Sequence, residues 1–145
     1  MLSDLYNEKI LAHAANIPRV GRLAQPDASA TQRSRLCGSQ VTVDVVMDGD
    51  LVVDFAHEVK ACALGQAASS IMAASVIGAT VAELETLEGE MTRMLAKEGP
   101  GPGGRWGEFA CLVPVADHKS RHASTMLTFR ATLEAARKAV LARAA

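Results

Sequence analysis

The sequence predicts an α+β fold, a small antiparallel sheet of about three strands packed against several helices. Two observations carry this expectation. Val41, Val43, Val45 and Met47 alternate along a half-buried strand, and Asp48-Gly49 turns the chain back into a second alternating run, Leu51, Val53 and Phe55. Apolar residues then recur at helical spacing on both sides of a Gly/Pro break.

Taken in order, residues 3–14 read as a helix with Ser3 as its N-cap and Leu5, Ile10 and Leu11 as its stripe. From Asn16 to Ser39 the chain turns polar, with Pro18, Gly21 and Pro26. That stretch is expected to be a long loop, of the kind that in compact domains is functional or mobile. The hairpin follows, and Glu58-Val59-Lys60 adds a third short extended piece. A helix over residues 63–77 buries Leu64, Ala67, Ala68, Ile71 and Ala74, and Gly78 supplies its left-handed stop. Thr80 and Glu83 form a capping box for the next helix, whose stripe is Val81, Leu84, Leu87, Met91 and Met94 or Leu95. Gly99 to Gly104 then breaks the chain. This is expected to be a connector inside a single domain spanning residues 1–145. It has no preceding strand and no following Lys-Ser/Thr, so it is not a phosphate loop. Leu112 to Val115 forms a short apolar segment interrupted by Pro114. The last helix runs from about Ser120 to Arg143 over Met126, Leu127, Leu133, Ala136 and Val140.

Composition narrows the function. A net charge of -1 and 3% aromatic residues give no footprint for nucleic acid or a membrane surface. No apolar run approaches the roughly 18 residues of a membrane span. Three cysteines are an odd, sparse count, which argues against a disulfide framework. With no basic or apolar leader at the start, a reducing cytoplasmic setting is expected.

The chemistry centres on two thiols. Cys37 closes a polar loop just before the first strand, in Arg35-Leu36-Cys37-Gly38-Ser39. Cys62 opens an Ala-rich helix, whose N-terminal partial charge favours thiolate over thiol. Each is either a metal- or sulfur-binding thiolate or a small buried hydrophobe. Cys111 lies among apolar neighbours and reads as a structural thiol. His122 is either a third ligand or a capping histidine on the last helix's first turn. His57 falls near a strand end and reads as a surface residue. Neither a nucleophile elbow nor a triad supports Cys62 with His57 or His122 as catalytic machinery, so the chain reads as no enzyme.

Cys37-Gly38 before a hairpin, then Cys62-Ala63-Leu64-Gly65-Gln66-Ala67-Ala68-Ser69-Ser70, resembles the IscU/NifU-type iron–sulfur scaffold family. Asn16-Ile17-Pro18-Arg19-Val20-Gly21-Arg22-Leu23 and Pro26-Asp27-Ala28 look like that family's leading loop, and the long Gly/Pro-containing gap after Cys62 is closer to the SufU-like branch. The likeness runs from Leu5 to about Ala136. It implies three Cys and an Asp as ligands, and here Ser39 stands at the Asp position. Arg121-His122-Ala123-Ser124-Thr125-Met126-Leu127-Thr128-Phe129 fits the family's last motif without a gap, with Ser124 at the third Cys position. The resemblance implies a scaffold or sulfur acceptor using Cys37 and Cys62; His122, two residues before Ser124, adds an imidazole as a candidate metal ligand. Its cargo would be a transient iron–sulfur cluster or zinc. Its partners would be a cysteine desulfurase and apo-protein acceptors. The alternative is a metal-free scaffold homologue that regulates a desulfurase by binding it.

Overall fold

A computed structural model describes residues 5–144. Helix α1 is Glu8–Ala15, capped by the Asn7 side chain on the Ile10 N–H. The predicted cap, Ser3, lies outside the described residues. Strands β1 (Ala28–Arg33), β2 (Gln40–Asp48) and β3 (Leu51–Lys60) form one antiparallel sheet in the order β1-β2-β3. Helices α2 (Ala63–Ser75) and α3 (Val81–Leu95) follow, then a 3-10 segment over Gly104–Asp117, a short 3-10 turn over Lys119–Arg121 and α4 (His122–Ala144).

The expected three-stranded antiparallel sheet is present, with its strands drawn differently. Glu58-Val59-Lys60 is the end of a continuous β3, and the third strand is β1, inside the expected loop. The hairpin loop is Gly49-Asp50, between the paired Asp48 and Leu51, with Gly49 at φ +60. Val46 pairs with Asp54 and Met47 with Val52, which leaves Val53 as an extra residue on β3. This bulge turns the apolar face of the return strand. Val52 and Phe55 are buried, whereas Leu51 and Val53 are exposed.

Val41, Val43, Val45 and Met47 form the sheet's core face as expected. Helix α4 lies across β1 and β2 on that face, and α2 packs against α1 and α4. The buried residues form one hydrophobic cluster, which includes Trp106, Phe109, Leu112 and Val115 from the 3-10 segment. Thr80 and Glu83 make the capping box of α3, with both hydrogen bonds formed.

The chain between α1 and β1 is strapped to the sheet at two places. Asp44, fully buried on β2, accepts hydrogen bonds from Arg22 (2.8 and 2.9 Å), the Leu23 N–H and the Ser29 hydroxyl. His57 is also fully buried, contrary to the surface position expected of it. Its backbone bonds Arg19 and Gly21, and its Nε2–H donates to the Pro18 carbonyl at 2.9 Å. It is buried because β3 continues for three residues beyond it and the strap covers it.

Candidate functional site

Two thiol–hydroxyl pairs form at one end of the sheet. Gln40 is the partner of both Arg33 and Lys60, so the β1–β2 loop and the chain after β3 leave the sheet at the same end. The loop is closed by the Gly38 N–H on the Ser34 carbonyl and the Ser34 N–H on the Ser39 carbonyl, at 2.9 and 2.8 Å. Gly38 sits at φ +72, a conformation open to glycine at little cost. The loop exposes Cys37 and buries Ser39, whose Oγ lies 2.9 Å from the Cys37 sulfur. Hydrogen bonds from Ser34 and Ser39 to the sulfur lower the Cys37 pKa to about 7.

Cys62 is the N-cap of α2 and half-buried. Its sulfur lies 3.5 Å from the Ser124 hydroxyl, which is buried in the first turn of α4 and donates to the Arg121 carbonyl at 3.2 Å. Gly65 makes this approach possible. A Cβ there would stand 2.7 Å from the Ala61 Cβ and 3.1 Å from the Ser124 carbonyl oxygen, so a larger residue would wedge the start of α2 away from α4.

His122 stands on the first turn of α4, half-buried, with its Nε2–H donating to the carbonyl of Val115 at 2.9 Å. That bond requires a proton on Nε2. Cys111 is half-buried against the core, and burial pushes its pKa up to about 11. Among the described residues, no three of His, Cys, Asp and Glu group as a metal cage. The two sulfurs are instead each faced by a buried hydroxyl. Sequence reasoning missed Ser34, which has no motif of its own, and Gly65, whose signal was an isolated glycine in the first turn of a helix.

The chain is thus an α+β domain with a thiol loop at one end of a three-stranded antiparallel sheet and a thiol-capped helix beside it. The NifU-like N terminal domain model matches residues 5–104, more than half of the chain. The chain belongs to that family. The match includes Cys37, Ser39 and Cys62 and stops short of Ser124. A curated relative, the iron-sulfur cluster assembly scaffold protein IscU of Thermotoga maritima, is 24% identical over 134 residues, covering 92% of this chain and 94% of its own length. The crystal structure of a nitrogen-fixing NifU-like protein (N-terminal) from Brucella abortus superposes with a TM-score of 0.94 at 52% identity, covering 98% of each chain. A SUF-system scaffold candidate from Fervidobacterium islandicum AW-1 shares the fold, with a TM-score of 0.84 at 22% identity over 92% of this chain and 98% of its own. No helix among the described residues is long and apolar enough to cross a membrane.

Proposed function

We propose that this chain is a single-domain, non-enzymatic scaffold or sulfur acceptor of iron–sulfur cluster assembly. Cys37 and Cys62 carry persulfide sulfur, or hold iron or zinc as cargo. The observation that supports it is the pair of buried serines, each with its hydroxyl against one of these thiols. The donor chemistry bears on how cargo is held. Structural zinc takes four N or S ligands and clusters are held by several thiolates. Two thiols and two neutral hydroxyls supply fewer anionic donors, which suits sulfur carriage and labile metal better than a tightly kept ion. His122, read from the sequence as a third metal ligand, is not aimed at the thiols. It lies about 200° around the helix from Ser124, its Nε2–H is held by the Val115 carbonyl, and it borders Leu95, Ala96 and Lys119. It would reach a metal at Cys37 and Cys62 only after rearrangement. The donor partner is a cysteine desulfurase and the recipients are apo-proteins, in the cytoplasm.

The neutral hydroxyls also favour a second reading, a metal-free regulator that binds a desulfurase through the retained fold. Anaerobic incubation with a cysteine desulfurase and cysteine, followed by persulfide trapping and peptide mapping, separates the two. The scaffold reading expects a sulfur adduct on Cys37 that Cys37→Ser abolishes, and visible absorption after reconstitution with iron and sulfide. No adduct on either thiol and no bound metal would leave the regulator.

A further inference from the structure

We propose that Cys37 takes its sulfur from an anionic carrier, a persulfide borne on a carboxylate-bearing molecule, selected by Arg33, Arg35 and Lys60, three cations at this end of the sheet that hold no carboxylate. The inference rests on Cys37 being a sulfur acceptor and adds the chemistry of its donor. Cys37, Ser39, Cys62, His122 and Ser124 lie in three acid-free stretches, 28–43, 59–82 and 118–133, which end at Asp27, Asp44, Glu58, Glu83, Asp117 and Glu134. Those stretches carry six cations: Arg33, Arg35 and Lys60 at this end of the sheet, Lys119 and Arg121 ahead of α4, with Lys119 beside Asp117 and Lys97, and Arg130, which sits 3.8 Å from Glu88. Elsewhere most cations hold a carboxylate, as Arg22 does on Asp44 and Arg137 on Glu85. Among the described residues Arg33, Arg35 and Lys60 form no ion pair, and the nearest acid along β3, Glu58, sits 3.7 Å from Arg22. Arg33 and Lys60 flank Gln40 across the sheet, so residues opposite one another put both cations on one face. Arg35 and Leu36 are exposed beside the exposed Cys37, and Leu36 keeps 81% of its surface open.

A net chain charge of -1 hides this local excess of positive charge. Such a field raises the local concentration of anions and lowers that of cations. In the transfer, the Cys37 thiolate attacks the terminal sulfur of R–S–SH. The new Cys37 S–S bond forms as the carrier's S–S bond breaks, the proton stays on the terminal sulfur, and the carrier leaves as the thiolate RS⁻. No outside oxidant or reductant is needed.

The test compares glutathione persulfide, which is net anionic, with cysteamine persulfide, and glutathione disulfide with cystamine, on the full chain at low salt. Modification of Cys37 is read by peptide mass spectrometry, and each rate is divided by that of the same reagent with mercaptoethanol. The anionic reagents should win by roughly tenfold, the low end of electrostatic steering because Cys37 sits on an open loop. Molar salt should erase the difference, and Arg35→Glu with Lys60→Glu should reverse it. Equal normalised rates for anionic and cationic reagents at low salt would overturn the inference. If the disulfides discriminate while no persulfide forms from either carrier, the charge selection stands and the sulfur-acceptor reading falls.

Discussion

Cys37 owes its acidity to the Ser34 and Ser39 hydrogen bonds on its sulfur, which outweigh the small cost of its partial burial. Iodoacetamide alkylation of the native protein should therefore show a Cys37 midpoint near pH 7, since only the thiolate reacts. Cys111, pushed up to about 11 by burial, should stay unlabelled until the chain unfolds. In Ser39→Ala the Cys37 midpoint should move toward the ordinary 9.0, and an unchanged midpoint would show that the hydroxyl does not hold the sulfur. Both thiols and the serines beside them were legible in the sequence, because short local motifs carry them. Ser34 was not, because its role depends on a loop closed by backbone hydrogen bonds that no residue type announces. His57 was misplaced for a related reason, since whether a histidine near a strand end is buried depends on what the next segment lays over it. Burial lowers its pKa, against a smaller opposite effect of the Pro18 carbonyl, and its Nδ1 is buried with no partner. The unfolded chain therefore binds a proton more readily. Stability should be full above the unfolded value of about 6.5 and fall as pH drops below it. Urea midpoints from pH 7 to pH 5 should show that loss, and His57→Gln should flatten it.

At the scale of elements, two close approaches position the site. Gly65 lets α2 start against α4, which brings Cys62 to Ser124. Alanine there would gain about 1 kcal/mol in helix propensity, yet overpacking costs typically about 1–3 kcal/mol. Gly65→Ala should thus be neutral to destabilising by about 2 kcal/mol in urea unfolding, and it should part Cys62 from Ser124. A clear gain in stability would show that the contact is looser than its geometry. The Asp44 clamp holds the strap before β1. Burial raises the Asp44 pKa, but the Arg22, Ser29 and Leu23 hydrogen bonds prevail and lower it. Asp44→Ala should cost about 3 kcal/mol, the low end for a broken buried pair because Arg22 is half exposed and can turn to water. Neither β1 nor the β3 bulge was legible. Strand β1 buries only Ala30 of its six residues, so it carries no alternation of large apolar side chains. The bulge is set by pairing between strands, and a single strand's pattern does not contain it.

At the scale of the whole molecule, the α+β class could be read from two periodicities, and the family from a few motifs spread along the chain. What could not be read was how segments far apart in sequence share one end of the sheet. That arrangement depends on β1 and β3 both pairing with β2, so that Arg33, Gln40 and Lys60 stand in one row. Ser39 and Ser124 should stand where anionic ligands would complete a site around Cys37 and Cys62. The most direct measurement is zinc affinity by competition with a chromophoric chelator, comparing the natural chain with the double variant Ser39→Asp, Ser124→Cys. Two anionic donors added to an existing frame should raise the affinity by at least about tenfold, or about 1.4 kcal/mol. Zinc should then also raise the variant's melting temperature more than the natural chain's. Equal zinc affinities in a folded variant would contradict the claim, because the two side chains would then not face the thiols.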